Sequence, residues 1–377
     1  MKVYYEPSFS TENTYVQNVI NGLKSNGCEI YNEAVRGKKN KLISYIKFLF
    51  SEDVKIYHIN WVENIVTQDD FKSKIKVGIW LTFVKICHMR KKKVVWTMHN
   101  TVPHGCKNED YAARFYKKWA NAVDMIVVHA NESAEILKNK YGVNDTRICV
   151  VPHGGYHVDQ ISDEEIAKRK KKYNIIENNF VFLYFGQIDD YKNIPLLINT
   201  FETLQISNAV LLVCGSLSHR LSRENREWLE RYRGKDNIIL DFRFVPESEI
   251  SAIFQMSDVV VLPYEKRSMQ NSGVAILSIC EGKPIIIPKF GYIKDIANQP
   301  FVFSYDYENE VEHKAALKNT ILEVYNSIDK SALSRLSEKE KIYADQNLNW
   351  DNITKNISER YRALLGEEKS WTKDSNS

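Results

Sequence analysis

Short apolar runs alternate with helical patterns of apolar residues along most of the chain. The runs are rich in Val, Ile, Phe and Tyr, which is typical of buried strands. They predict ten strands, at Val3–Tyr5, Val54–Ile59, Val94–Met98, Met125–Val128, Arg147–Val151, Phe180–Phe185, Val210–Val213, Ile238–Phe242, Val259–Leu262 and Pro284–Ile287. Helical spacing of apolar residues predicts helices between them, at Tyr15–Leu23, Asn131–Leu137, Leu196–Leu204, Glu247–Phe254 and Gly273–Cys280.

Strands that are apolar throughout and alternate with helices indicate parallel sheets covered on both faces. Because the pattern occurs twice, it predicts an α/β protein with two Rossmann-like, doubly wound parallel-sheet domains. The polar stretch Tyr156–Asn178 separates the two patterns. We therefore expect one domain at residues 1–165 and a second at residues 166–350, followed at 351–377 by a C-terminal helix and a frayed tail.

Composition narrows the class of protein. The chain has 377 residues, of which 44% are hydrophobic and 27% charged, as in ordinary globular proteins. No apolar stretch reaches the ~20 uncharged residues of a membrane span, and Met1-Lys2 leads into a predicted strand without the apolar region of a secretory signal. The six cysteines are scattered without metal-binding spacing. We expect a reduced, cytoplasmic protein with no metal and no cofactor.

Charge is unevenly distributed along the chain. Residues 1–176 carry 28 basic and 19 acidic side chains, whereas the remainder carries 24 and 29. The basic segment Arg36–Lys41 directly precedes the apolar segment Leu42–Phe50, a combination that predicts peripheral contact with a membrane surface. A solvated face beside an ordinary core helix is the alternative. No zinc-finger, RRM or KH signature accompanies the basic runs, so we expect no nucleic-acid partner.

Candidate chemistry in the second half lies in loops that follow strands, where doubly wound sheets bind ligands. Gly186 and Lys192 follow the first strand of this half, and Gly215 follows the next one. The turn Asn271–Val274 begins a helix, so its free amides and the helix dipole favour a bound phosphate. A helix cap without any ligand explains the same turn.

Polar residues also follow two strands in the first half. His99, Asn100 and His104 come after Val94–Met98, at the place where the sheet would bind a ligand. His58 and Trp61 come at the end of the preceding strand. His58 fits a position in the same cleft and a buried core hydrogen bond equally well.

Taken in order, these motifs resemble the GT-B glycosyltransferases, specifically the retaining family 4 group. The matching segments are His58-Ile59-Asn60-Trp61, Trp96-Thr97-Met98-His99-Asn100, Val151-Pro152-His153-Gly154, Phe185–Ile194, Pro263-Tyr264 with Asn271–Ala275, and Gly282-Lys283-Pro284. The resemblance implies two Rossmann-like domains facing a cleft. It places the acceptor on the N-terminal domain and a nucleotide-diphosphate sugar on the C-terminal domain.

The resemblance also implies roles for individual residues. Lys192 matches a lysine that contacts the donor diphosphate, and His99 matches a histidine that contacts the transferred sugar; these two are the implied catalytic residues. The other implied donor-binding residues are Gly186, Gln187, Gly215, Phe244, Val245, Tyr264, Asn271, Ser272, Gly273 and Val274. The implied acceptor or cleft residues are His58, Trp61, Asn100 and His104. His153-Gly154 matches the segment near the hinge between the domains.

The chain departs from the family pattern in three places. The paired glutamates of the family fall on Met269 and Leu277, so both carboxylates are absent. The usual arginine of the diphosphate site is Gln187, and Lys266 and Arg267 are candidates to restore its charge. The loop after the first strand lacks the glycines of many relatives.

The resemblance implies sugar transfer from a UDP- or GDP-sugar with retention of anomeric configuration. It implies no metal and no dedicated protein base, because the leaving phosphate helps to deprotonate the acceptor hydroxyl. We expect a saccharide acceptor, carried on a polyprenyl diphosphate at the inner membrane face, in capsule or exopolysaccharide assembly.

Three other functions share features with this sequence. A Rossmann oxidoreductase is disfavoured, because Pro7-Ser8-Phe9-Ser10 follows the first strand in place of a Gly-x-Gly-x-x-Gly motif. A GT-B sugar-nucleotide epimerase or phosphorylase would keep the fold and change the reaction. The missing glutamates and arginine leave open a GT-B scaffold or regulatory partner that has lost catalysis.

Overall fold

The chain folds into two compact units. The structure, a computed structural model, describes residues 1–9, 14–65, 71–100, 109–204, 206–232, 236–266 and 271–367. Unit 1 comprises Met1–Gly154 together with the described residues from Leu348 onward, and unit 2 comprises Gly155–Asn347.

Unit 1 is built on a parallel sheet of six strands. They are β1 (Lys2–Glu6), β2 (Glu29–Ile30), β3 (Val54–Asn60), β4 (Lys93–Met98), β5 (Met125–Val128) and β6 (Ile148–Val150). The helices are α1 (Thr14–Ser25), α2 (Lys38–Phe50), α3 (Phe71–Met89), α4 (Glu109–Ala122), α5 (Asn131–Tyr141) and, at the C-terminal end, α14 (Trp350–Leu364). The strand order β2-β1-β3-β4-β5-β6 puts the switch in winding direction between β1 and β3.

Both faces of the first sheet are buried, as its continuous apolar strands predict. Along β1, Tyr4 packs into the cluster beneath α2 and α3, whereas its neighbours Val3 and Tyr5 pack into the cluster beneath α1 and α14. Along β4, Trp96 packs into the cluster beneath α2 and α3, and Val95 packs into the cluster beneath α1 and α14. Successive side chains of a strand point to opposite faces, so helices must cover both sides of the sheet.

The division between the units differs from the expected domain boundaries. Residues 155–165 belong to unit 2, where the amide of Asp159 donates to Ser251 Oγ at 3.2 Å. Helix α14 belongs to unit 1, because its buried face, which includes Ile353 and Ile357, completes the core against α1. Gly22 of α1 allows this packing, since a Cβ there would lie 2.5 Å from Thr354 Oγ1.

Unit 2 repeats the architecture. Its strands are β7 (Phe180–Phe185), β8 (Ala209–Cys214), β9 (Ile238–Asp241), β10 (Val259–Val261), β11 (Ile285–Pro288) and β12 (Val302–Tyr305). Its helices are α6 (Asp163–Lys172), α7 (Ile194–Glu202), α8 (Arg223–Arg231), α9 (Glu247–Gln255), α10 (Gly273–Glu281), α11 (Gly291–Asp295), α12 (Glu310–Ser327) and α13 (Lys330–Asn347). The parallel order β12-β11-β10-β7-β8-β9 puts the switch between β10 and β7.

The prediction of two doubly wound parallel-sheet domains is confirmed. Each of the ten predicted strands corresponds to an observed one, within one or two residues at its ends. The structure adds β2 and β12, one at an outer edge of each sheet. No helix formed by the described residues combines the length and the apolar character that crossing a lipid bilayer requires.

Candidate functional site

The sheet of unit 2 brings two loops together at its switch between β7 and β10. The loop after β7 contains Gly186 and a short 3-10 helix at Asp190–Lys192, and the segment after β10 leads through Tyr264 to the start of α10. Ligands of doubly wound sheets bind where the winding direction reverses, at the carboxyl ends of the strands. The topology therefore brings the predicted donor-binding residues of the two loops to one edge.

Lys192 carries a buried cation at this edge. Its side chain is 8% exposed, and its Nζ lies 3.7 Å from the ring centroid of Tyr264 and 5.1 Å from that of Tyr191. Among the described residues, no carboxylate forms an ion pair with it. Burial lowers the pKa of Lys192 to about 7, although Asp189 nearby favours the charged form. An ammonium without a counter-ion in a low-dielectric site is costly, so this position favours an anionic ligand.

Tyr264 lies beneath Lys192 and reaches toward the start of α10. Its side chain is fully buried near Ser272, and its hydroxyl has no hydrogen-bond partner among the described residues. Burial raises the pKa of Tyr264, so the ring keeps its neutral hydroxyl and presents its electron-rich face to the ammonium. Because Tyr264 is fully buried, it has no surface for a donor and supports Lys192 instead.

The start of α10 offers free backbone donors beside this group. Ser272 is the N-cap, and its Oγ accepts from the Ala275 amide at 3.2 Å. The amides of Gly273 and Val274 precede the first hydrogen bond within the helix and have no acceptor among the described residues. Asn271 Oδ1 accepts from the Ser272 amide at 3.0 Å, and its buried Nδ2 has no partner in the described part of the chain. Together with the helix dipole, these donors favour a phosphate group.

Two glycines allow the loop after β7 to lie against α10. Gly186 has φ +114°, and a Cβ there would lie 3.1 Å from Val274 Cγ2. Gly215 has φ +151°, and a Cβ there would lie 1.9 Å from the Gly186 carbonyl oxygen. Both positions demand glycine, since a side chain would push the ends of β7 and β8 apart or displace the first turn of α10.

The remaining predicted donor-binding residues are more dispersed. Gln187 is exposed next to Gly186, with no charge to offer a diphosphate. Phe244 is 78% exposed in the loop after β9, whereas Val245 beside it is buried. The adjacent Arg243 is held by Asp241 and Glu249 at 2.8 and 2.5 Å. Arg267 and the Met269 position lie outside the described residues, and Lys266 pairs with Asp306.

His99 lies at the carboxyl end of β4 in unit 1, in a defined tautomer. Its Nε2 is 3.0 Å from Asn60 Oδ1, while Asn60 Nδ2 donates to the Glu6 carbonyl at 3.1 Å. Because the Asn60 oxygen is thus the acceptor, His99 Nε2 carries the proton and Nδ1 keeps a lone pair. Burial, reinforced by the neighbouring histidines, keeps the pKa of His99 well below its usual range. The imidazole is neutral and can accept a hydrogen bond from a hydroxyl.

Aromatic rings hold this imidazole on two sides. Trp61 stacks on His99 with ring centroids 4.5 Å apart and an angle of 10°, and the edge of Tyr15 meets it at 4.9 Å. Trp61 has φ +49°, a left-handed conformation that is strained for a bulky residue and is often found at binding sites. Asn100 follows on the same strand end and is partly exposed, and His104 lies outside the described residues.

Two members of this cluster, His129 and Tyr15, are not among the residues predicted from the sequence. His129 Nδ1 donates to the Val151 carbonyl at 3.1 Å, so its Nε2 accepts from the Tyr15 hydroxyl, also at 3.1 Å. Burial lowers the pKa of His129 to about 4. His153, which the resemblance put near the hinge, packs against both residues. The position of His129 directly after β5 was the available signal, because strands β4 and β5 are neighbours.

The structure places His58 in the core, one of the two alternatives that the sequence left open, and not among the cleft residues that the resemblance implied. His58 is completely buried in the core of unit 1, with Nε2 2.6 Å from Thr97 Oγ1 and Nδ1 bonded to the Tyr361 hydroxyl of α14. Burial lowers its pKa to about 3, so it stays neutral. Since both ring nitrogens are occupied, His58 satisfies core hydrogen bonds and has no atom to offer a ligand.

Two family models match the chain. The model described as "Glycosyl transferases group 1" matches residues 165–327, and the one described as "Glycosyltransferase Family 4" matches residues 77–154. Lys192 and the Asn271–Val274 turn lie within the first match, and His99 lies within the second.

A curated relative and two solved structures are similar to the chain over longer spans. An uncharacterized glycosyltransferase of Methanocaldococcus jannaschii is 23% identical over 245 residues, or 63% of this chain, and the match spans 56% of that relative's length. Anabaena HepE in complex with UDP has a TM-score of 0.70 at 13% identity, covering 96% of this chain and 99% of HepE. Sucrose-phosphate synthase from Thermosynechococcus elongatus has a TM-score of 0.68 at 14% identity, covering 97% and 99%. At such low identity, the solved structures show the shared fold.

Proposed function

This chain belongs to the family 4-like glycosyltransferases of the GT-B fold, and we propose that it transfers a sugar from a UDP- or GDP-sugar to a saccharide acceptor. The supporting observation is the position of Lys192. Its buried ammonium has no counter-ion among the described residues and lies over the ring of Tyr264, which is near Ser272 at the start of α10. A diphosphate is the anion that a lysine and the amides of a helix start can bind together.

The developing charge of the reaction fits these groups. When the bond between the anomeric carbon and the diphosphate oxygen breaks, negative charge grows on the leaving group and positive charge on the sugar. Lys192 and the amides of Gly273 and Val274 stabilise the leaving diphosphate most strongly at that stage. The acceptor oxygen then bonds to the anomeric carbon on the same face, and its proton passes to the departing phosphate. We propose that no metal ion takes part.

Structural neighbours favour a uridine nucleotide. Anabaena HepE was crystallised with UDP and with UDP-glucose, and the latter complex has a TM-score of 0.67 to this chain at 12% identity. The missing glutamate at Leu277 leaves the ribose contact of this chain different from the family pattern. We therefore include guanosine nucleotides in the donor class.

In this proposal His99 contacts the transferred sugar. His99 Nδ1 is suited to accept a hydrogen bond from a sugar hydroxyl, because the imidazole is uncharged and Asn60 occupies its other nitrogen. A polyprenyl-linked acceptor in capsule or exopolysaccharide assembly would require the protein to work peripherally at the inner face of the cytoplasmic membrane. The basic N-terminal half supports that location.

A donor screen tests the proposal. UDP-, GDP- and dTDP-sugars are incubated with the protein, with and without saccharide acceptors, and release of nucleoside diphosphate is measured. We expect release from one donor class and a loss of about 10²–10³-fold in Lys192→Ala, as for other preorganised charge contacts. Lys314→Ala removes an exposed lysine of α12 and is the matched control.

Two results would contradict the proposal. Interconversion of free nucleotide sugars without an acceptor would identify an epimerase. Failure of the wild-type protein to bind UDP or GDP, together with no donor turnover, would identify a scaffold that has lost catalysis.

A further inference from the structure

Helix α2 of unit 1 has an apolar face that points to solvent. Leu42, Ile46 and Phe50 recur every four residues and are 62%, 52% and 67% exposed, and Ile43 beside them is 41% exposed. The opposite face of the helix, at Phe48, is buried in the core. A surface helix normally turns its apolar stripe inward, so the outer stripe of α2 is an additional one.

Helix α3 shows the same arrangement. Phe71, Ile75 and Ile79 recur every four residues and are 77%, 46% and 62% exposed, and Met89 at the end of the helix is 73% exposed. Its buried residues, which include Val84, lie on the opposite side. Eight of the fourteen exposed large apolar side chains in the described part of the chain therefore lie on α2 and α3.

The two stripes belong to one surface. Tyr45 of α2 packs edge-on against Trp80 and Phe83 of α3, with ring centroids 6.0 and 5.6 Å apart. Arg90, directly after α3, lies over the exposed Phe50 ring at 4.9 Å and donates from Nε to the Leu49 carbonyl at 3.2 Å. Both helices cover the same face of the sheet. Their solvent sides form what we name the α2–α3 surface.

The charged side chains of helices α2 and α3 are all basic, and one of them, Lys41, pairs with Glu6 of β1. Helices α2 and α3 each contain four lysines, and neither contains an aspartate or glutamate. On α3, Lys72 and Lys76 flank the apolar stripe on one side, and Lys74 and Lys85 flank it on the other. Arg90 and Lys91 extend the positive charge past the end of α3. Such a surface complements a partner that is negatively charged and apolar beneath the charge.

We propose that the α2–α3 surface docks on an anionic lipid bilayer, with its exposed aliphatic and aromatic side chains at the acyl boundary and its lysines among the headgroups. An anionic bilayer has negatively charged headgroups at its surface and apolar acyl chains directly beneath them. Nucleic acid would leave the apolar stripes unused, and a second copy would bring eight lysines against eight. The α2–α3 surface lies in unit 1. The membrane proposal rests on the proposed function in one respect: a lipid-linked acceptor would explain why the protein binds a membrane.

Vesicle flotation of the full-length protein tests the proposal. We expect partition onto phosphatidylcholine vesicles that contain phosphatidylglycerol, loss of partition at high salt, and little binding to pure phosphatidylcholine. Replacing Ile46 and Ile75 by Ser, one on each helix, is expected to lower the partition coefficient at least about tenfold. The paired control replaces Val311 and Ile342, exposed apolar residues of unit 2, by Ser.

Charge-reversal variants test the electrostatic part of the membrane proposal. Lys72→Glu with Lys76→Glu is expected to lower partition about fivefold or more for each lysine, while Lys314→Glu with Lys339→Glu makes the same net change in unit 2. Equal effects of the two pairs, no binding by the wild type, or a dimer that Ile75→Ser abolishes would each overturn the proposal. Calorimetric binding of UDP and GDP to the same preparations is a separate readout, so failure of the donor proposal and of the membrane proposal can be distinguished.

Discussion

The Lys192 ammonium lies 3.7 Å from the centre of the Tyr264 ring, although the two residues follow different strands. Strands β7 and β10 are neighbours at the winding switch, and their loops bring the pair together. The ring lies near Ser272, the N-cap of α10. A cation and the donors of a helix start thus share one edge of the sheet, and this relationship underlies the predictions for unit 2.

Proton uptake is expected when a nucleoside diphosphate binds. The pKa of Lys192 is lowered to about 7, so the free side chain is charged below that pH and largely neutral above it. A bound diphosphate favours the ammonium and raises its pKa. At about pH 8, where a phosphate of pKa ≈ 6 is already ionised, binding takes up a proton and affinity falls as the pH rises further. Calorimetry in two buffers of different ionisation enthalpy measures this uptake, which is expected to vanish in Lys192→Met.

Gly186→Ala is expected to weaken donor binding through α10. The new Cβ would lie 3.1 Å from Val274 Cγ2, in a backbone conformation of φ +114° that disfavours side chains. We expect a loss of about 1–3 kcal/mol in the free energy of unfolding and reduced UDP affinity. Gly142→Ala is the control, since it has φ +72° and nothing within 4 Å of its Cβ position. A normal UDP affinity in Gly186→Ala would show that the Gly186–Val274 contact is not needed.

Asn60→Asp is expected to change the charge of His99. In the wild type, the Asn60 amide oxygen accepts from Nε2 and the imidazole stays neutral. A carboxylate there would favour the imidazolium and raise the pKa of His99 toward its usual range. Transfer activity would then fall as the pH drops through the raised pKa, because a protonated Nδ1 cannot accept from a hydroxyl. Nitrogen NMR of the histidine ring reads this directly, and Asn139→Asp on exposed α5 surface is the matched control.

Helix α14 is expected to be essential for the stability of unit 1. Ile357 is 2% exposed in the core between α14 and the sheet, so Ile357→Ala should lower the free energy of unfolding by about 2–4 kcal/mol. Lys355→Ala, on the exposed side of the same helix, should change it by less than about 0.5 kcal/mol. Tryptophan fluorescence during denaturant unfolding reports mainly on unit 1, which holds Trp61, Trp80, Trp96, Trp119 and Trp350. Equal effects of the two variants would show that α14 docks only loosely.

The sequence pattern predicted most of the fold because buried parallel strands are apolar on both faces. It missed β2 and β12, since one has two residues and the other is an edge strand with two partly exposed side chains. It also left α14 outside the first domain, because the partner face on α1 lies more than 300 residues away along the chain.

Site residues were predictable where they follow a strand or begin a helix, as Lys192, Ser272 and His99 do. Contacts between distant segments were not. Tyr15 and His129, 114 residues apart, pair through one hydrogen bond that no local pattern reveals. His58, like His99, lies at the carboxyl end of a strand. Only its contact with Tyr361 on α14 shows that it is a core residue.

The most direct test compares nucleoside diphosphate with monophosphate. Calorimetric titration measures the affinity of UDP and UMP, or of GDP and GMP, for the wild type, Lys192→Ala and the Lys314→Ala control. If Lys192 and the start of α10 bind the distal phosphate, the wild type and the control prefer the diphosphate by at least about tenfold, and Lys192→Ala loses most of that preference while binding the monophosphate normally. Equal diphosphate affinity in wild type and Lys192→Ala would contradict the account.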